Sequence, residues 1–259
     1  MKYFPILLLA LLCACGSANK SEETTTGKKE TKEAPAYFEL RTYTAAPGKL
    51  DELLARFRDH TLDFFEQYDM QGMGYWTPIE NDQNQLVYLL GFKDKAQRDA
   101  SWKAFIADED WGKIYADSRA NGPLVSSIEN LFLNYTDYSP HIEKGNKGPR
   151  IFSMRTYYTN EGKLDNLHTR FRDHTMEIFN NNGMQNVAYF NLDAGQEGAE
   201  NTLVYFITFP DTAARTQMWD SFSKDENWKE VYANSIKDGR LVDSLTHVLL
   251  EPTDFSAIK

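Results

Sequence analysis

Most of this chain is one sequence written twice. Phe38-Glu39-Leu40-Arg41-Thr42-Tyr43 stands over Phe152-Ser153-Met154-Arg155-Thr156-Tyr157 at an offset of 114, and Gly48-Lys49-Leu50-Asp51 over Gly162-Lys163-Leu164-Asp165. Arg56-Phe57-Arg58-Asp59-His60-Thr61 returns unchanged as Arg170-Phe171-Arg172-Asp173-His174-Thr175, and from Phe38 to Thr61 15 of 24 positions are identical. A three-residue insertion near Gln196-Glu197-Gly198 moves the offset to 117. There Leu86-Val87-Tyr88 meets Leu203-Val204-Tyr205, and Trp102, Phe105, Trp111 and Tyr115 meet Trp219, Phe222, Trp228 and Tyr232. From Leu86 to Val125, 18 of 40 positions are identical. The period exceeds the roughly 20–50 residues of solenoid repeats, so the unit is a duplicated domain. Whatever surface one copy leaves bare, the other is available to cover.

Each copy alternates its periods. Tyr37 to Thr44 alternates large apolar and polar residues, as a half-buried strand does, and Pro47-Gly48 breaks it. Leu50, Leu53, Leu54, Phe57, Thr61, Phe64 and Tyr68 then recur at helical spacing. Met73 to Ile79 and Leu86 to Phe92 read as strands joined by a polar turn. A second helical stretch from Asp94 to about Ala120 breaks near Asp108, whose side chain can cap a new turn, and Val125 to Tyr135 is a last strand. The order β-α-β-β-α-β is the ferredoxin-like unit. Its two helices cover one face of its sheet and leave the other bare, so two copies bury most by closing on each other. The expected fold is α+β, two ferredoxin-like repeats forming an intrachain pseudo-dimer that closes as an α-β barrel. Two separate domains on a string are the alternative.

The N-terminus carries a different message. Met1-Lys2, a Leu-rich apolar run, and Leu12-Cys13-Ala14-Cys15-Gly16 read as a signal peptide over 1–15 ending in a bacterial lipobox, with Cys15 lipidated. Residues 16–36 hold no aromatic residue and no aliphatic one larger than Ala, too little to bury, and read as a disordered tether. The first repeat is expected over 37–138 and the second over 150–257. Residues 139–149, with two prolines and two glycines, form the linker. Both cysteines lie in the leader, which excludes a thiol nucleophile, an Fe–S cluster or thiolate-bound zinc in the body. From Tyr37 onward 23 basic and 34 acidic residues leave a net charge of −11, which argues against nucleic acid as a partner. The expected place is the bacterial cell envelope, held to the outer membrane, on its periplasmic or surface face, through Cys15.

Taken together, several motifs resemble the NIPSNAP family. They are Arg41-Thr42-Tyr43, Pro47-Gly48-Lys49-Leu50, Phe57-Arg58-Asp59-His60-Thr61, Tyr75-Trp76, Leu86-Val87-Tyr88, the Trp102 to Trp111 helix and Thr136-Asp137-Tyr138, with their second-repeat counterparts. The likeness covers nearly all of Tyr37 to Phe255. It implies the dimeric α-β barrel superfamily, which also holds cofactor-less monooxygenases and haem-binding enzymes. The second copy departs where Pro47 becomes Glu161 and Trp76 becomes Phe190, so the halves need not be equivalent.

Candidate chemistry centres on His60 and His174. Each stands three residues after a core phenylalanine and is expected on or beside the buried helical face, as a general base or a ligand to haem or a metal, or as a buried histidine satisfied by a partner. Arg41 and Tyr43, like Arg155 and Tyr157, leave one face of the first strand together. They can hold the carboxylate or enolate of a small ligand through a guanidinium fork and a phenol, or form ion pairs across the interface between the halves. Tyr75, Tyr88, Tyr189 and Tyr205 are pocket walls or core. Asp108-Glu109-Asp110 fans apart on a helix, so no metal site is expected, and no cofactor is assigned. No phosphate loop, zincin or serine-hydrolase motif occurs in the body. Three readings stay open: a lipid-anchored module binding a small apolar or aromatic ligand, an oxygenase-type enzyme using His60 or His174, and a non-catalytic envelope interaction protein, with further oligomerisation open in each.

Overall fold

The computed structural model describes residues 34–259. The leader, Cys15 and the tether up to residue 33 lie outside the described residues. The first repeat runs β1 (Tyr37–Ala45), α1 (Leu50–Arg56), a π turn (Phe57–Thr61), α2 (Leu62–Gln67), β2 (Gln71–Pro78), β3 (Gln85–Phe92), α3 (Lys95–Ala107), α4 (Glu109–Asp117) and β4 (Val125–Tyr135). The second runs β5 (Ile151–Thr159), α5 (Leu164–Arg170), a π turn (Phe171–Thr175), α6 (Met176–Asn181), β6 (Gln185–Leu192), β7 (Thr202–Phe209), α7 (Thr212–Lys224), α8 (Glu226–Ser235) and β8 (Val242–Pro252). Among the described residues no helix is long and apolar enough to cross a membrane.

Local chemistry fixes the joints. Gly48, at φ +72°, takes the left-handed turn between β1 and α1, and Gly162 repeats it at +68°. Asp108 ends α3 and caps α4 by accepting from the Trp111 amide at 2.8 Å, and Asp225 does the same for Trp228 at 3.1 Å. The break expected near Asp108 is therefore a cap shared by two helices.

The eight strands close in the order β1-β3-β2-β8-β5-β7-β6-β4, with all neighbours antiparallel. The seams between repeats are short: Trp76 to Pro78 against Leu250 to Pro252, and Leu133 to Tyr135 against Phe190 to Leu192. Strand alternation sorts the side chains. Phe38, Leu40, Trp76, Phe152, Phe190 and Phe206 point inward and fill the barrel. Tyr37 and Tyr43, by contrast, face the first repeat's helices, as Ile151 and Tyr157 face the second's. The bare faces of the two sheets thus make one shared core, and each repeat keeps its own helix–sheet layer.

The repeats also clasp each other outside the barrel. Arg58 makes a bidentate pair with Asp254 at 2.7 and 2.9 Å, and Arg172 one with Asp137 at 2.7 and 3.0 Å. The arginine of each Phe-Arg-Asp-His-Thr motif so holds the tail that follows the other repeat's last strand. Phe255 packs on Tyr75 and Tyr138 on Tyr189 in the same exchange.

One placement is corrected. His60 and His174 are exposed, not on the buried face. Residues 57–61 and 171–175 form a wider π turn, so Thr61 and Thr175, not the histidines, return beneath Phe57 and Phe171. Both threonines are buried and donate to the carbonyls of Arg56 and Arg170, at 3.1 and 3.0 Å.

Candidate functional site

The polar side chains predicted from the strand alternation gather in the two helix–sheet layers. Arg41, Tyr43, Tyr75 and Tyr88 lie in the first layer, and Arg155, Tyr157, Tyr189 and Tyr205 in the second. Neither arginine bridges the halves, contrary to the interface alternative, because odd positions of β1 and β5 face each repeat's own helices. Tyr75 stacks on Tyr88 at 5.8 Å and Tyr189 on Tyr205 at 5.2 Å, one pair across each sheet. Burial pushes Tyr75, Tyr88, Tyr189 and Tyr205 up from the usual phenol range, so all four stay protonated.

In the first layer the arginine is neutralised from within the chain. Glu39, fully buried, takes Arg98 Nε at 2.8 Å and Nη2 at 3.0 Å, the Trp102 indole N–H at 2.7 Å and Arg41 Nη1 at 2.5 Å. Burial pushes the Glu39 carboxyl up, but the Arg98 hydrogen bonds, the Arg41 and Arg98 charges and the Trp102 indole outweigh it and hold it below 4.5. The Arg41 guanidinium also lies over the Trp102 ring at 4.5 Å.

In the second layer a cavity of about 180 Å³ opens between helices and sheet. Its walls are largely aromatic and apolar, among them Phe171, Phe179, Trp219 and Trp228, while Tyr157, Thr175 and Arg170 supply polar atoms. Arg170 is buried and reaches Ser235 Oγ at 3.2 Å and the faces of Trp228 and Tyr232 at 5.3 and 5.8 Å. Its Nε has no hydrogen-bond partner among the described residues. Burial lowers its affinity for the proton and the Tyr157, Tyr232 and Tyr205 phenols recover only part of it, yet a guanidinium stays charged. Arg155 stands next to this cavity, with Nη2 3.4 Å from the Tyr157 hydroxyl and its guanidinium 4.7 Å above the Trp219 ring. An apolar cavity holding a buried cation, beside a second one, is what a small aromatic or apolar anion needs.

A family model described as NIPSNAP matches residues 38–140 and again 152–257. The chain belongs to the NIPSNAP family. Among solved structures, this NIPSNAP chain aligns along most of its length with a monooxygenase-like protein of Lactobacillus acidophilus NCFM, at TM-score 0.58 and 12% identity, covering 86% of this chain and 96% of the other. One from Fusobacterium nucleatum aligns at TM-score 0.52 and 9% identity, covering 85% and 93%. Such likeness is one of fold, the dimeric α-β barrel carried in a single chain. An uncharacterised NIPSNAP domain protein of Burkholderia xenovorans is 27% identical over 40% of this chain and 98% of its own, with TM-score 0.36. No curated protein matches the sequence.

Within this NIPSNAP barrel the residues expected to act do not all meet. Arg155, Tyr157 and Tyr205 come together beside the cavity. His60 borders an open surface depression with Glu52, Asp59 and Asp117. Neither His60 nor His174 lines the cavity of the second layer. The sequence reading missed Arg170, although its position repeats Arg56 in the best-matched segment. Trp219 and Trp228 both pack this layer and line the cavity.

Proposed function

We propose that this protein is a lipid-anchored NIPSNAP module that binds one small apolar or aromatic ligand in the helix–sheet cavity of its second repeat. The observation that carries this is the 180 Å³ cavity with aromatic walls and the buried Arg170 guanidinium. An apolar cavity of about 150 Å³ is enough for one benzene ring, which sets the ligand's size. The lipobox at Cys15 and the polar tether support placing the module at the outer membrane of a bacterial envelope. Enzyme chemistry at His60 or His174 has less in its favour, because neither ring lines the cavity.

The test is mass spectrometry of small molecules released on denaturing the full-length chain from detergent, with toluene added to the stripped protein as a probe of the cavity. Leu245 lines the cavity and is 43% exposed, so Leu245→Trp can close the mouth without disturbing the core. One molecule released per chain, or a rise in melting temperature with toluene, is expected in the wild type and absent in Leu245→Trp. No released molecule and no response to toluene would overturn the reading and turn attention to the outer surface as a docking face.

A further inference from the structure

We propose that the second repeat holds a carboxylate-binding site made by Ser153, Arg155, Arg215, Trp219 and His247, in which a bound ligand supplies the carboxylate that Glu39 supplies in the first repeat. The two layers form an internal comparison. At the offset of 114, Arg41 becomes Arg155 and Glu39 becomes Ser153; at 117, Arg98 becomes Arg215, Trp102 becomes Trp219 and Asn130 becomes His247. Every hydrogen-bond donor around Glu39 is thus kept or exchanged for another, and only the acceptor is changed.

The consequences appear atom by atom. The Arg98 Nε and the Trp102 indole N–H both donate to Glu39. Their counterparts, Arg215 Nε and Trp219 Nε1, are buried with no hydrogen-bond partner among the described residues. Ser153 is fully buried and its Oγ also lacks a partner among the described residues. Arg155 has no ion pair among the described residues, and its polar neighbours are phenols, with the Tyr157 hydroxyl 3.4 Å from Nη2. Burial, and then the Arg155 charge, lowers the proton affinity of both Arg215 and His247, Arg215 adds to this at His247, and no acid among the described residues offsets it. Stacking does not replace the missing anion: Arg155 lies over Trp219 at 4.7 Å, just as Arg41 lies over Trp102 at 4.5 Å with Glu39 already in place.

Two buried or half-buried guanidiniums and an indole N–H aimed together without an acceptor are costly unless an anion joins them. The first repeat shows that a carboxylate satisfies this donor set. A seryl Oγ stands where the Cγ of glutamate would, so it leaves room for about one carboxylate group and can itself donate to it. His247 is exposed on β8, with Nε2 3.5 Å from Arg215 Nη2, and marks the side from which an anion arrives. Trp219 and Tyr157 are shared with the cavity. The proposal therefore deepens the binding reading, on which it rests for the apolar half of the ligand: the ligand is a monocarboxylate whose body is one aromatic ring or a short aliphatic chain.

The Trp219 indole proton is the reporter. The chain has five tryptophans, so five indole resonances, and Trp219→Phe identifies the one concerned. Sodium acetate is titrated into the full-length protein against sodium chloride at equal ionic strength. The Trp219 resonance is expected to move downfield and saturate, toward the position of Trp102, which already donates to a carboxylate. In Ser153→Glu the resonance is expected to start there and to lose its acetate response, with at least a tenfold weaker affinity. Arg215→Gln, which does not rely on a new buried acid being accepted, is expected to weaken acetate by a similar factor. An equal response in wild type and both variants, or none in the wild type with Ser153→Glu no more stable, would overturn the proposal. Acetate needs no apolar cavity, so its response survives in Leu245→Trp; no toluene response in the wild type, with acetate binding intact, would fail the cavity reading alone.

Discussion

Replacing Glu39 by serine would give the first repeat the polar surroundings of the second. The variant removes a fully buried carboxylate that accepts from Arg98, Trp102 and Arg41. Removing one partner of a buried ion pair costs about 3–5 kcal/mol, because the cations left behind stay desolvated. The lower end applies, since the Arg98 side chain keeps 19% exposure and part of its hydration. At about 2–4 °C per kcal/mol for a chain of this size, a loss of about 3 kcal/mol is a fall of roughly 6–12 °C in melting temperature. Urea denaturation followed by tryptophan fluorescence measures it. Acetate should then restore stability, at about 1.4 kcal/mol for each tenfold excess over its dissociation constant, with chloride of equal ionic strength giving nothing. A loss under about 1 kcal/mol, or a loss that acetate leaves untouched, would refute the reasoning that these donors require an anion.

Three further outcomes are expected. Glu39 is held below 4.5 in the fold, so its contribution is complete above that value and fades as pH falls through the lowered one; the stability gap between wild type and Glu39→Gln, from urea midpoints, should narrow only in that acid range. Thr61→Val leaves the Arg56 carbonyl without its 3.1 Å donor inside the π turn and should cost about 1 kcal/mol by the same assay. The exposed pairs Arg58–Asp254 and Arg172–Asp137 should matter little: Arg58→Ala with Arg172→Ala should shift the urea midpoint slightly in dilute buffer and not at all in molar salt.

The barrel was legible because its logic is one of faces. Alternation in Tyr37 to Thr44 and helical spacing from Leu50 to Tyr68 give a sheet with one side uncovered, and the duplication supplies its cover. The histidines were misplaced for a specific reason. Apolar spacing of three and four assumes a regular helix, and nothing in Phe-Arg-Asp-His-Thr announces the extra residue of a π turn, although a buried threonine five residues after an arginine is the side chain that accompanies it. Arg155 and Tyr157 were found because strand period two is rigid. Arg215 and His247 were not, because the two copies were matched by what they share, whereas the site lies where they differ: Glu39 against Ser153, and Asn130 against His247. Nor could spacing show that Arg170, from the helical layer, approaches Tyr157 from the sheet.

The most direct measurement is a crystal structure of the chain grown with benzoate, an acid whose ring suits the cavity and whose carboxylate suits the donors. One benzoate per chain is expected, with its ring between Trp219 and Trp228, its carboxylate on Arg155 and Arg215, and the layer around Glu39 unchanged. Benzoate in both layers equally, or in neither while Arg155 and Arg215 turn out to solvent, would contradict a second repeat built to take its anion from a ligand.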